Sequence, residues 1–268
     1  MALRIGLCGA GGRMGRNLVA AVVERDDTEL TAALARPGSS LVGVDAGELA
    51  GQGAIGVTVS DDLEAVLPGL DALIDFTLPE PASAHVAACA RAGVPLVLGT
   101  TGFDGEQSHG VATAAGTIPL VHAANYSVGV TLSLRLMATA ARALGEDYDV
   151  EIVEAHHRHK VDAPSGTALR MGEAVAAARD TELDACAVHG RQGHTGERDR
   201  GTIGLHAVRG GDVVGDHTVM FLGQGERLEL SHRASSRMTF ARGAVRSALW
   251  VREQPPGLYD MEDVLGLK

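Results

Sequence analysis

The chain has 268 residues, 45% of them hydrophobic and 21% charged, which suits a soluble globular protein with one large or two modest cores. A formal net charge of -11 with no basic stripe excludes a nucleic-acid binder. Three cysteines far apart (Cys8, Cys89, Cys186) exclude a disulfide framework, and no apolar run or leader pattern points to a membrane, so a cytoplasmic protein is expected.

Leu3 to Cys8 is a buried-strand candidate, followed by a glycine-rich turn and a helical stretch from Asn17 to Glu24. Glu29 to Ala35 is a second strand. Leu73 to Phe76 and Leu96 to Leu98 follow, separated by the alanine-rich stretch Ala82 to Ala92, and Ile118 to His122 is another strand. Strands alternating with helices predict α/β architecture, a parallel sheet covered on both faces. After Asn125 the texture changes. Val128 to Leu144 reads as a long helix, Val150 to Glu154 as a strand and Ser165 to Arg179 as a helix. Three strands follow: Ile203 to Val208, His217 to Phe221 and Leu228 to Ser231. Arg209-Gly210-Gly211-Asp212 reads as a hairpin connection between the first two. This region is a second, α+β domain with a mixed or antiparallel sheet. Arg237 to Val251 is an amphipathic helix that is expected to return to the first domain.

The run Gly9-Ala10-Gly11-Gly12-Arg13-Met14-Gly15-Arg16 follows a strand and opens a helix. Glycines there let backbone N–H groups approach a pyrophosphate, and the helix start adds partial positive charge. Met14 occupies the third position of the usual G-x-G-x-x-G spacing, so Gly9, Gly12 and Gly15 fit a G-x-x-G-x-x-G variant better. The second strand ends Leu34-Ala35-Arg36, with no carboxylate for a ribose 2′-hydroxyl. NADPH is therefore the expected cofactor, with Arg36 on its 2′-phosphate, and NADH remains a possible second one. Phe76-Thr77, Gly99-Thr100-Thr101-Gly102 and Ala123-Ala124-Asn125-Tyr126 stand where strand ends should face it. The last of these is also a candidate hinge for domain closure.

The densest chemistry lies from Glu154 to Thr167, where His156-His157-Arg158-His159-Lys160 repel one another when protonated. An anionic ligand gives a reason to cluster them. Ser165 is a reasonable N-cap, and the N–H groups that follow it suit a carboxylate. His157 and His159 share a face in an extended segment, but no neighbouring carboxylate or cysteine completes a metal set, so no metal is expected. His189, His194, His206, His217 and His232 are scattered and read as structural or exposed.

The string EAHHRHKVDAPSGT at Glu154 to Thr167 resembles the signature of the 4-hydroxy-tetrahydrodipicolinate reductase family, also called dihydrodipicolinate reductase. GAGGRMGR at the N-terminus, GTTG at Gly99, AANYSVGV at Ala123, GDVVGDHTVMF and SSRMTFARGAVRSALW match in order over nearly the whole chain. The resemblance implies a Rossmann-type domain over 1–126, completed by 236–268, and a substrate-binding and oligomerisation domain over 127–235 that forms a homotetramer. It implies reduction of a small dicarboxylate ring in lysine synthesis, with His156 and Lys160 catalytic. His157, Gly166 and Thr167 would bind substrate. Gly9, Ala10, Gly11, Gly12, Arg13, Met14, Arg36, Gly99, Thr100, Thr101, Ala123, Ala124, Asn125 and Tyr126 would bind the cofactor. The chain departs from the family at Ala35, where NADH-using members carry an acidic residue, and at Tyr126, where many carry Phe. Another two-domain nicotinamide dehydrogenase acting on a small dicarboxylate is the alternative. A cofactor-sensing binding protein would need neither His156 nor Lys160.

Overall fold

The computed structural model describes residues 1–268, which divide into two compact units, residues 1–128 with 237–268, and residues 129–236. The first unit opens with β1 (Leu3–Cys8), α1 (Arg13–Val23), β2 (Thr28–Leu34), α2 (Ala46–Ala50), β3 (Val59–Ser60) and α3 (Leu63–Val66). It continues with β4 (Ala72–Asp75), α4 (Pro79–Ala92), β5 (Leu96–Leu98), α5 (Gly105–Ala115) and β6 (Pro119–His122). The second unit carries α6 (Val128–Leu144), β7 (Asp149–His156), α7 (Gly166–Ala177), α8 (Leu183–Cys186) and β8 (Ala187–His189). Strands β9 (Ile203–Arg209), β10 (Gly215–Leu222) and β11 (Arg227–Ala234) complete it. The chain then returns to the first unit as α9 (Met238–Val251), β12 (Gly257–Tyr259) and α10 (Met261–Leu265).

Seven strands of the first unit form one parallel sheet, ordered β12-β6-β5-β4-β1-β2-β3. Every residue of β4 is buried, as expected of a strand with helices on both faces. On one face Leu3, Ile5 and Leu7 pack with Leu18 and Val22 of α1 and Ala244, Val245 and Ala248 of α9. On the other, Leu73, Leu96 and Leu98 pack with Val86 and Cys89 of α4 and Val111 of α5. The strand order reverses between β1 and β4, so the loops leaving these strands diverge and open a crevice at their carboxyl ends. Helix α1 starts at Arg13, earlier than the apolar pattern suggests, because Gly12 is its extended N-cap and Gly15 lies inside its first turns. Glycine lowers helix propensity by about 1 kcal/mol, and tertiary packing overrides that here.

The second unit is a five-stranded mixed sheet, ordered β11-β10-β7-β9-β8. β10 pairs antiparallel with β7 and β11, whereas β9 pairs parallel with β7 and β8. The expected hairpin across Arg209 to Asp212 is therefore corrected, since β7 lies between β9 and β10. The connection binds the end of β7 instead: Gly210 N–H donates to His156 O (2.9 Å) and His157 N–H to Val213 O (2.7 Å). Seating β7 centrally buries Val150 and Ile152 completely against Met137, Ala141, Met171 and Val175 of α6 and α7. The observed hairpin joins β10 to β11, closed by Gly223 N–H on Glu226 O (3.0 Å).

Glu151, on the other side of β7 from Val150 and Ile152, is only 8% exposed. It accepts from Arg191 (2.8 and 3.0 Å) and Arg198 (3.0 Å) and pairs with His206 (2.7 Å), which ties residues 191–198 to the sheet. A Cβ at Gly204 would overlap this carboxylate, so glycine is required opposite it. Burial works against ionisation, but the hydrogen bonds from Arg191, His206 and Arg198 outweigh it and hold the carboxyl down at about 2, against 4.5 for a free glutamate. A depressed carboxyl stabilises the fold above its unfolded value and loses that contribution as pH falls through the folded one. Glu151 should thus contribute about 3 kcal/mol above pH 4.5 and lose it towards pH 2. Urea midpoints measured across this window should fall more steeply for the wild type than for Glu151→Gln; parallel curves would contradict the assignment.

Candidate active site

In the first unit, β1 delivers Gly9 into a left-handed conformation (φ 71°). Gly12 N–H then closes a tight turn on Gly9 O (2.9 Å). A Cβ at Gly15 would overlap the Gly9 and Ala10 backbone, so α1 can lie this close to the loop only with glycine there. Gly9 and Gly15 are thus the demanding positions of the variant spacing, whereas Gly12 is ordinary extended backbone (φ -71°) where a Cβ would stand 3.2 Å from Gly9 O. Gly11 faces the side chain of Leu41, which an added Cβ would strike. Ala10 is buried, Gly12 and Arg13 are exposed, and Met14 packs partly against the core. No acidic residue stands in the first turn of α1, which leaves its positive end open to an anion.

The loops after β4, β5 and β6 converge beside this turn. Thr77, just beyond β4, has a methyl that a Cβ on Gly9 would approach to 3.0 Å. Its N–H donates to Asp75 (2.7 Å) and its carbonyl accepts from the Thr100 hydroxyl (2.9 Å). Its own hydroxyl is buried with no protein partner. Asp75, fully buried, also pairs with His85 of α4 (2.7 Å). Cys8, Asp75 and His85 come within 4.8 Å of one another, a juxtaposition that sequence spacing does not reveal because β1 and β4 are adjacent only in the sheet. Burial and the nearby Asp75 push the Cys8 thiol well up, so it is a protonated core residue.

Gly99 and Thr101 flank the buried Thr100 beyond β5, and beyond β6 Ala123 and Asn125 are half-buried on either side of the exposed Ala124. Tyr126 differs from these. Its ring is 1% exposed, 5.2 Å from the Phe76 ring, and its hydroxyl donates to Leu98 O (2.9 Å) and Val121 O (3.0 Å). The side chain pins β5 to β6 from within the core, so only its backbone could meet a ligand. Arg36 lies exposed just past β2. The glycine turn, the open helix start and the orphaned Thr77 hydroxyl together fit a dinucleotide.

In the second unit, β7 places Glu154 and His156 two residues apart, hence on one face. Glu154 is 1% exposed and His156 9%. The Glu154 carboxylate pairs with His156 Nδ1 (2.7 Å), accepts a bidentate Arg209 (2.7 and 2.7 Å) and accepts the Ser165 N–H (3.0 Å). Burial opposes its ionisation, but Arg209, His156 and the Ser165 N–H prevail and hold it below the usual glutamate range. Ser165 is the N-cap of α7, its hydroxyl accepting from Ala168 N–H (3.1 Å) and bonded to His217 Nε2 (3.0 Å). Burial, helped by the neighbouring His156, pushes His217 down to about 4, so it is neutral near pH 7. Lys160 pairs with both Asp162 oxygens (2.9 Å each), and Arg209 also donates to Asp162 O (2.7 Å). The His157 and His159 rings are tilted by 42° to one another, centroids 6.1 Å apart. Gly166 and Thr167 open α7, which has no acidic residue in its first turn.

The proposed residues therefore gather into two groups, one per unit. His156, His157, Lys160, Gly166 and Thr167 come together in the second. Glu154, Arg209 and His217 belong with them but escape a linear reading. Glu154 is inside the motif and its period-two relation to His156 is legible. Arg209 and His217 come from β9 and β10, and only the pairing of both strands with β7 brings them in. His206 and His217 do not pair with each other; each takes a separate partner.

The profile described as "Dihydrodipicolinate reductase, N-terminus" matches residues 3–126, and that described as "Dihydrodipicolinate reductase, C-terminus" matches 129–265. The chain belongs to the dihydrodipicolinate reductase family. A 4-hydroxy-tetrahydrodipicolinate reductase of Pseudomonas fluorescens is 62% identical over 98% of this chain and 99% of its own length. One of Halorhodospira halophila is 60% identical over the full length of both. Among solved structures, a dipicolinate-bound dihydrodipicolinate reductase of a Paenisporosarcina species aligns with a TM-score of 0.77 at 28% identity, covering 97% of this chain and 98% of that one. An amine dehydrogenase of Mycobacterium smegmatis shares the fold at a TM-score of 0.61 and 16% identity, over 98% and 96% of the two chains. Membership of this reductase family makes the protein an oxidoreductase with a Rossmann-type N-terminal domain, which implies a nicotinamide cofactor. No helix is long and apolar enough to cross a membrane.

Proposed function

We propose that the chain reduces 4-hydroxy-tetrahydrodipicolinate to tetrahydrodipicolinate with loss of water, a step of diaminopimelate and lysine synthesis in the cytoplasm, and prefers NADPH to NADH. The observation that carries this reading is that Glu154 and Arg209 tie together, on one unit, His156, the loop that bears Lys160 and the start of α7, which suits a carboxylate. The dicarboxylate named with the Paenisporosarcina structure, and the names of the close relatives, support the same substrate class.

The reduced nicotinamide supplies a hydride to the unsaturated ring when bound. Gly9 to Met14 would hold its pyrophosphate, Arg36 its 2′-phosphate, and Gly99 to Thr101 with Ala123 to Tyr126 the nicotinamide half. The N–H groups of Gly166 and Thr167, with His157, would hold the substrate carboxylates, where helix polarity favours negative charge. His156 and Lys160 would stabilise charge developing on the ring and deliver the proton that completes the reduction. Lys160 is held by Asp162 on a loop at the surface, an ion pair that a substrate anion would have to displace.

NADPH selection rests on Ala35, which offers no carboxylate to a 2′-hydroxyl, and on the exposed Arg36 beside it. With freshly generated substrate, kcat/KM should favour NADPH. Arg36→Ala should lower the NADPH value by roughly 10–100-fold, the worth of a charged hydrogen bond, and leave the NADH value nearly unchanged. A wild-type preference for NADH would overturn the cofactor assignment, and failure to turn over this substrate would overturn the reaction. Residues 127–235 would also carry the contacts of a homotetramer. The exposed Val208 and Leu228 on the five-stranded sheet support that reading, which the mass of the same preparation in solution checks.

A further inference from the structure

We propose that Glu154, clamped by Arg209, is the positioning residue of the reaction: it fixes the tautomer of His156 so that Nε2 is the nitrogen that exchanges protons. The proposal rests on the role given to His156 above.

An ionised carboxylate only accepts hydrogen bonds. Glu154 is held ionised by its partners, so the contact of 2.7 Å to His156 Nδ1 requires the hydrogen to lie on Nδ1. The exchangeable site of the neutral ring is then Nε2. The space beside Nε2 is kept clear by Gly215 of β10, where an added Cβ would come within 3.0 Å of that nitrogen. His217 stands edge-on to the ring, centroids 5.1 Å apart, with its Nε2 occupied by the Ser165 hydroxyl. Being neutral, it does not oppose a positive charge on His156.

The Glu154 carboxylate also joins three parts that the reaction needs in register. One oxygen takes Nδ1 of His156, and the other takes the Ser165 N–H at the start of α7. Arg209, bound to both oxygens, reaches the carbonyl of Asp162, in the loop that carries Lys160. Stability alone gives little reason for such a pair, because buried ion pairs can often be replaced by apolar residues at no cost. Its contact with the proton-handling ring gives one. The arrangement follows the general logic of an acid–base residue oriented by a third group.

The test is Glu154→Gln beside His156→Ala, each checked for its fold by circular dichroism. Nitrogen-15 NMR of histidine-labelled protein should show the Nδ1–H tautomer for His156 in the wild type and its loss in E154Q. The kcat of E154Q should fall on the order of 10²-fold, with cofactor affinity unchanged. If H156A keeps its kcat, the role of His156 itself fails. If H156A loses activity while E154Q keeps wild-type kcat, the positioning role alone fails. A drop in kcat with the tautomer intact would also overturn it, because the effect would then be structural. Should E154Q not fold, Glu154→Asp keeps the charge and withdraws the carboxylate by one methylene. It is expected to lose kcat by about tenfold, and wild-type kcat in that variant overturns the proposal.

Discussion

Replacing His156 by Ala is expected to lower kcat by roughly 10²–10⁴-fold, the usual range for losing a general acid, and Lys160→Ala is expected to do the same. The two losses should differ in character. His156 is nearly buried and locked to Glu154, so its removal strips the site of a preorganised proton donor and leaves a buried carboxylate with one partner fewer. H156A should therefore also cost about 1–3 kcal/mol of stability in denaturant unfolding. Lys160 is on an exposed loop and its ion pair with Asp162 contributes little to the fold. K160A should unfold like the wild type and fail only in turnover. Steady-state kinetics of both variants at saturating substrate and cofactor provide the check. Near-wild-type kcat in both would remove these residues from the chemistry.

Gly15→Ala is the second change with a large expected effect. The added methyl would overlap the Gly9 carbonyl oxygen and the Ala10 backbone, which no rotamer change can relieve. Either α1 moves off β1 or the turn at Gly9 opens, and both displace the N–H groups expected to face a pyrophosphate. Overpacking of this kind costs about 1–3 kcal/mol, and a similar loss in binding weakens cofactor affinity by about 5- to 150-fold. Titration of NADPH by fluorescence, with thermal unfolding beside it, measures both. A glycine with open space around it, such as Gly105, serves as the contrast, because alanine there meets nothing within 4 Å. Equal NADPH affinity in G15A and the wild type would show that the close approach of α1 is not what shapes the turn.

The first unit was largely legible because its signals are local. The apolar runs at Leu3, Leu73, Leu96 and Ile118 are short and bounded by glycine, proline or polar residues. A parallel sheet buried on both faces needs just such runs. The glycine turn was legible for the same reason, and two glycines of its variant spacing, Gly9 by its left-handed backbone and Gly15 by its close approach, are required by the geometry. Its position in the sequence makes Tyr126 a cofactor contact, yet its ring faces inward, because direction at a strand end depends on packing against Phe76 and not on position in the chain.

In the second unit the elements were readable and their neighbours were not. Strand β9 and strand β10 look like a hairpin in sequence, yet β7 inserts between them, and in that central place Val150 and Ile152 lie fully buried under α6 and α7. That insertion also builds the site, because it sets Arg209 on one side of Glu154 and His217 on the other. By itself, the sequence determined the alternation of strands and helices, the glycine-rich turn, and the histidine–lysine segment that ends on the Ser165 cap. Those features depend on residues near one another in the chain. The tertiary structure alone decided which nitrogen of His156 is held, what holds Glu154, and why Gly15 and Gly215 must lack a side chain. The contacts of Arg209 and Gly215 are made across strands, where sequence separation carries no information about distance, whereas the His156–Glu154 pair and the approach of Gly15 to Gly9 and Ala10 are close in sequence and depend on the path the folded backbone takes.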